Sequence, residues 1–107
     1  MAIDAARKCA DIRSVIKSFA DSETEKIWNQ ERSKRLPSDI QPRALMKLAM
    51  ISQAKSLNDL RVPPANRLES LSGNRAGQFS IRINQQWRIC FRWEEGDAFE
   101  VQIVDYH

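Results

Sequence analysis

At 107 residues, 42% apolar and 29% charged, the chain is the size of one globular domain, able to bury roughly 65% of its unfolded surface without staples. No apolar run approaches a membrane span, residues 1–14 lack the apolar region of a signal peptide, and Cys9 and Cys90 have neither metal-ligand nor disulfide spacing, so a cytoplasmic protein without metal or cofactor is expected. The net charge of +3 conceals an asymmetry: six arginines against the single acid Glu69 between Arg61 and Arg92, then five acids and no lysine or arginine from Trp93 onward.

In chain order, Arg13-Ser14-Val15-Ile16-Lys17-Ser18-Phe19 is a short strand candidate, with Val15, Lys17 and Phe19 on one parity. Ser22, with Glu25 three residues on, reads as the capping box of a helix that fades by residues 32–35. Pro37-Ser38-Asp39 punctuates before a second helix from about Asp39 to Leu57, with Pro42 in its first turn, where a missing N–H costs little. Leu45, Leu48, Ala49 and Ser52 mark its inner face; Met46, Met50 and Leu57 widen a stripe read as core. Two prolines within residues 61–66 forbid helix and central strand and predict a rigid extended loop. A strand over 67–71 follows, then a turn at 73–77 whose glycines lack the lysine and hydroxyl of a phosphate-cradling loop.

Beyond Gln78 the alternation is clear. Phe79, Ile81 and Ile83 share one face of a strand, with Ser80 and Arg82 on the other. After a turn at Asn84-Gln85-Gln86, Trp87, Ile89, Phe91 and Trp93 share one face and Arg88, Cys90 and Arg92 the other. Glu94-Glu95-Gly96-Asp97 turns again, and Phe99, Val101 and Ile103 bury a final strand. Period-two alternation over three short strands predicts an antiparallel sheet. Helices first and strands afterwards predict an α+β domain: two N-terminal helices on one face of a small, twisted, mainly antiparallel sheet.

If the helices cover the aromatic face, Ser80, Arg82, Arg88, Cys90 and Arg92 line the opposite one. Arginine binds phosphate bidentately and stacks on bases, so the block points to a polyanion, with nucleic acid first. The plainer alternative for each arginine is an exposed strand residue pairing with Glu100 or another acid. Asp105-Tyr106-His107 sets a carboxylate, a phenol and an imidazole at the end of the last strand. Imidazole is the side chain whose unperturbed pKa lies nearest neutrality, so the constellation points to proton transfer near a phosphate. The α-carboxylate expected on His107 favours the imidazolium, which suits a general acid. Cys90 reads as a small packing residue.

The stretch Pro63-Pro64-Ala65-Asn66-Arg67-Leu68-Glu69-Ser70-Leu71-Ser72-Gly73-Asn74-Arg75-Ala76-Gly77-Gln78 resembles the HigB branch of the RelE/ParE toxin superfamily. So do Ser80-Ile81-Arg82, Asn84, Trp87-Arg88-Ile89 and Asp105-Tyr106-His107. The similarity begins near Val15, which makes 1–14 an N-terminal extension and 15–107 the toxin domain. The resemblance implies the compact RNase-like fold and a toxin of a type II toxin–antitoxin pair, one that cleaves mRNA on the ribosome without a metal. It implies a HigA-type helix-turn-helix antitoxin, and operator DNA reached through that antitoxin. By the same resemblance Arg88 holds the scissile phosphate, and Asp105, Tyr106 and His107 form the terminal catalytic group. Some relatives carry histidine where this chain has Glu69; a carboxylate can accept the 2′-OH proton there, though as a weaker base. Arg67, Arg75, Arg82 and Arg92 are then the RNA-binding candidates. A ParE-like gyrase inhibitor shares the fold but needs no acid–base set, and a non-enzymatic nucleic-acid-binding module needs only the arginine block.

Overall fold

In the computed structural model, which describes residues 14–105, the alternating segments form a four-stranded sheet in sequential order. The strands are β1 (Glu69–Ser70), β2 (Gln78–Arg82), β3 (Trp87–Glu94) and β4 (Asp97–Asp105), and every neighbouring pair is antiparallel. Two helices, α1 (Ser22–Trp28) and α2 (Gln41–Gln53), pack on one face. Ile27, Ala44, Leu48 and Ile51 from the helices meet Ile81, Ile89, Phe91 and Val101 from the sheet in a continuous core. Fully burying each of the larger side chains is worth about 1.5–3 kcal/mol. The expected α+β architecture is present.

Several boundaries differ from the sequence expectation, each for a local reason. Asp21 rather than Ser22 caps α1: its carboxylate accepts the Thr24 N–H at 2.7 Å. The helix stops at Trp28 instead of fading at 32–35, because Gln30 takes a positive φ of 64° and turns the chain away. Helix α2 is shorter than 39–57, led in by a 3-10 turn at Ser38–Ile40. Its inner face is also rotated from the expected one, burying Ala44, Lys47, Leu48, Ile51 and Ser52 while Met46 is half exposed. Residues 61–66 do not run extended: Val62–Pro63 is a cis peptide between 3-10 turns at Leu57–Arg61 and Pro64–Asn66. Of the strand expected over 67–71, Glu69–Ser70 is strand, and the Leu71 N–H adds one bond to the Gln78 carbonyl at 2.8 Å.

Of the candidate strand over 13–19, Arg13 lies outside the described residues, and the remainder runs parallel to β4, with bridges at Ile16–Ala98 and Phe19–Val101. Its interruption has a visible cause. Between Cys90 and Arg92 the β3–β4 register slips, so that Arg92 faces Phe99 while Cys90 faces Gln102. Glu100 takes a left-handed φ of 55° at this bulge. The extra residue reverses parity along β4. Ala98, Val101 and Ile103 therefore point into the core, and Phe99, expected inside, is half-buried on Arg92's face.

Candidate active site around Arg88

On the face away from the helices, Glu69 stands opposite Ser80, Ser80 opposite Cys90, and Cys90 opposite Gln102. Arg82 stands opposite Arg88, which in turn faces Val104. The sequence places Ser80, Arg82, Arg88, Cys90 and Arg92 on this face, and the structure shows how little of it is open: Ser80 and Cys90 are fully buried, and Arg88 is only 7% exposed. The segment between α2 and β2 folds back over it. Its Pro64–Asn66 turn packs against β2, and the Arg75 guanidinium reaches Gln78 at 3.0 Å and Gln102 at 3.4 Å. Burial pushes the Cys90 thiol pKa up, against the pull of Arg75 and Arg88, consistent with a packing role.

Arg88 is held from several sides. Its Nε donates to Ser80 Oγ at 2.9 Å, and one terminal nitrogen donates to the Arg67 carbonyl at 2.7 Å. The same nitrogen lies 3.6 Å from Glu69 Oε1. Arg67 presents that carbonyl from a left-handed conformation, φ 46°, which a non-glycine residue adopts only when its surroundings impose it. Glu69 is different in character: its side chain is 51% exposed, so a carboxylate open to solvent sits beside a nearly buried guanidinium. This is a proton acceptor next to a fixed cation, the pairing that phosphate-ester chemistry needs for its base and for the developing negative charge.

The other candidates are distributed around this pair. Arg82, half-buried, donates from Nε to the Asn84 carbonyl at 3.0 Å. Arg92 lies at the far end of β3 and is ion-paired with Glu94 and, at 3.5 Å, with Glu100. Asp105 ends β4 opposite Trp87, next to Arg88's partner Val104, and accepts from Gln86 Nε2 at 3.1 Å. The structure therefore brings together Glu69, Arg88 and the Arg67 backbone, sets Arg82 beside them and leaves Arg92 apart. Tyr106 and His107 lie outside the described residues, as does Cys9. Ser80 was not singled out as a site residue by sequence; its signal was parity, since it shares Arg88's face. Among the described residues no helix is long and apolar enough to cross a membrane, and no three His, Cys, Asp or Glu side chains converge as metal ligands.

Known proteins share this fold and much of this sequence. The fold is similar to the crystal structure of YafQ from E. coli, with a TM-score of 0.53 at 14% identity over 84% of this chain and 90% of that one. In sequence the chain is 38% identical to Toxin HigB-1 of Vibrio cholerae over 79% of its own length and 90% of that protein's. It is 29% identical to Endoribonuclease HigB of Proteus vulgaris over 87% of its length and all of that relative. A family model described as the RelE-like toxin of type II toxin–antitoxin system HigB matches residues 17–107. With most of the chain matched by that family and by a relative well above 30% identity, the protein belongs to the HigB-like toxins of type II toxin–antitoxin systems.

Proposed function

We propose that this toxin is a ribosome-dependent endoribonuclease that cleaves mRNA by metal-independent acid–base chemistry. The observation that carries the reading is the Arg88–Glu69 pair, a nearly buried guanidinium 3.6 Å from a solvent-open carboxylate. The name Endoribonuclease HigB on the Proteus vulgaris relative supports it. In the proposed step the ribose 2′-oxygen attacks the adjacent phosphorus while Glu69 takes the 2′-OH proton. Arg88 balances the charge of the phosphorane, where electrostatic stabilisation counts most. The P–O5′ bond then breaks, and the departing oxygen takes a proton from His107, leaving a 2′,3′-cyclic phosphate and a 5′-hydroxyl. Asp105 orients the terminal group, and Tyr106 stacks on a base or donates to phosphate. Arg67, Arg75, Arg82 and Arg92 meet the RNA backbone, with Arg92 the weakest of them because two carboxylates already hold it. The partner is a HigA-type helix-turn-helix antitoxin, through which the pair reaches operator DNA, and the site of action is the cytoplasm, where ribosomes translate.

Induced expression tests this reading directly. Growth arrest should come with new mRNA 5′ ends inside translated codons, carrying 5′-hydroxyls, and co-expression of the neighbouring antitoxin gene should erase them. Plasmid supercoiling should stay unchanged. Arrest with intact mRNA and altered supercoiling would replace the nuclease with a gyrase inhibitor on the same fold.

A further inference from the structure

Beside the Arg88 site, a cleft of about 570 Å³ opens between α2 and the β2–β3 turn. Arg43, Lys47, Arg67 and Arg82 line it, and no acidic residue does. Lys47 is the unusual member. It is only 6% exposed, donates to Asn66 Oδ1 at 2.5 Å, and forms no ion pair with a carboxylate among the described residues. Asn66 is itself fully buried, and its amide nitrogen donates to the Leu60 carbonyl at 3.2 Å, which fixes the oxygen toward Lys47. One neutral acceptor serves an ammonium with three donors. Burial, with Arg43 adding to it, lowers the Lys47 pKa, as for an ammonium taken out of water beside a like charge.

The cleft is continuous with the candidate active site. Arg67 lines it while its carbonyl accepts from Arg88. Arg82 lines it and stands opposite Arg88 in the β2–β3 ladder, where facing Cα atoms are about 4.5–5.5 Å apart. We propose that this cleft is an RNA-backbone subsite that holds a phosphodiester flanking the scissile one, with the Lys47 ammonium at its floor and Arg43 and Arg82 at its rim. The proposal rests on Arg88 being the scissile-phosphate residue. A strand passing Arg88 must place its neighbouring phosphate close by, and the adjoining surface offers a partly desolvated cation without a carboxylate partner. Arg43 and Lys47 thereby enter the substrate-binding set from α2, far in sequence from the arginine block.

The test measures anisotropy of a labelled single-stranded 2′-O-methyl RNA, which lacks the nucleophile, across a salt series. Lys47→Met and Arg43→Ala should each weaken binding about tenfold, the weight of one charge-assisted hydrogen bond. Losing one phosphate contact should flatten the plot of log K against log salt by about 0.7. The double variant should flatten it no further, because both side chains serve the same phosphate. In cleavage of ribosome-bound mRNA, a methylphosphonate next to the scissile position should slow the wild type and leave Lys47→Met little further impaired. Unchanged affinity and slope in folded variants would overturn the subsite, whatever cleavage does. Retained RNA binding with lost antitoxin binding would overturn it as well, in favour of a protein-docking cleft. Absence of cleavage in every arm would instead sink the nuclease reading while the salt slopes still report on the cleft. If Lys47→Met fails to fold, the exposed Arg43→Ala decides alone.

Discussion

Arg88 has two jobs, and its substitutions should separate them. Its donors satisfy Ser80 Oγ and the Arg67 carbonyl inside a covered face, so Arg88→Ala leaves buried polar groups without that partner. The expected cost is about 1–3 kcal/mol in urea unfolding, with the half-exposed Glu69 contact adding little because water screens it. Arg88→Lys keeps the charge but not the planar fork, and should unfold closer to wild type. Both should lose mRNA cleavage, by about 10²–10³-fold for Arg88→Ala. Wild-type cleavage by a folded Arg88→Lys protein would remove the bidentate phosphate role. The sequence made the charge of Arg88 legible but not its burial, since parity says which residues share a face and is silent on what covers that face. Lys47 was missed for a related reason. A lysine within an apolar stripe reads as a solvated side chain, and only the rotation of α2 toward Ala44, Leu48 and Ile51 shows that it is enclosed.

At the scale of elements, the two features least legible in the sequence are a cap and a bulge. Ser22 with Glu25 satisfies the capping-box pattern, yet Asp21 one residue earlier accepts from Thr24 and starts α1. Asp21→Ala should therefore cost about 1 kcal/mol and Ser22→Ala close to nothing, as compared by thermal or urea unfolding. The bulge at Glu100 escapes periodicity because one inserted residue changes the count without leaving a compositional mark. A β-branched side chain is strained at its φ of 55°, so Glu100→Val should lose about 1–2 kcal/mol while Glu100→Gly stays near wild type. The first turn of α1 is tied by side chains to the segment that follows the helix. The Ser33 hydroxyl donates to Glu23 at 2.5 Å and, with help from Lys26, holds the Glu23 carboxyl below the ordinary carboxylate range. A carboxyl depressed in the folded state contributes stability above that range and loses it as pH falls through the folded pKa. Ser33→Ala should accordingly be less stable than wild type at neutral pH, with the gap narrowing in acid; a gap independent of pH would remove Glu23 from the account.

For the molecule as a whole, alternation from Phe79 to Trp93 made the helix-covered face of β2 and β3 legible, the turns between the strands made the antiparallel sheet legible, and the order of helices before strands made the class legible. The far face was not, because the segment that covers it, residues 54–77, is built from 3-10 turns and a two-residue strand with no period to detect. That covering divides the arginine block. Arg67, Arg82 and Arg88 gather around one site, and Arg92 is neutralised at the other end of β3. The described core closes by Ile103, with Val104 half-buried and Asp105 exposed. Chemistry assigned beyond that point should therefore be separable from folding. His107→Ala should keep the urea midpoint and antitoxin binding of the wild type, while cleavage of ribosome-bound mRNA falls by about 10²–10⁴-fold, the usual worth of a general acid. Rescue should follow the acid: with an activated leaving group at the 5′-oxygen, which departs without a proton, the His107→Ala defect should largely vanish while that of Arg88→Ala persists. Wild-type cleavage by His107→Ala on natural mRNA would take the imidazole out of the mechanism and shift the weight of the reaction to the Arg88–Glu69 pair.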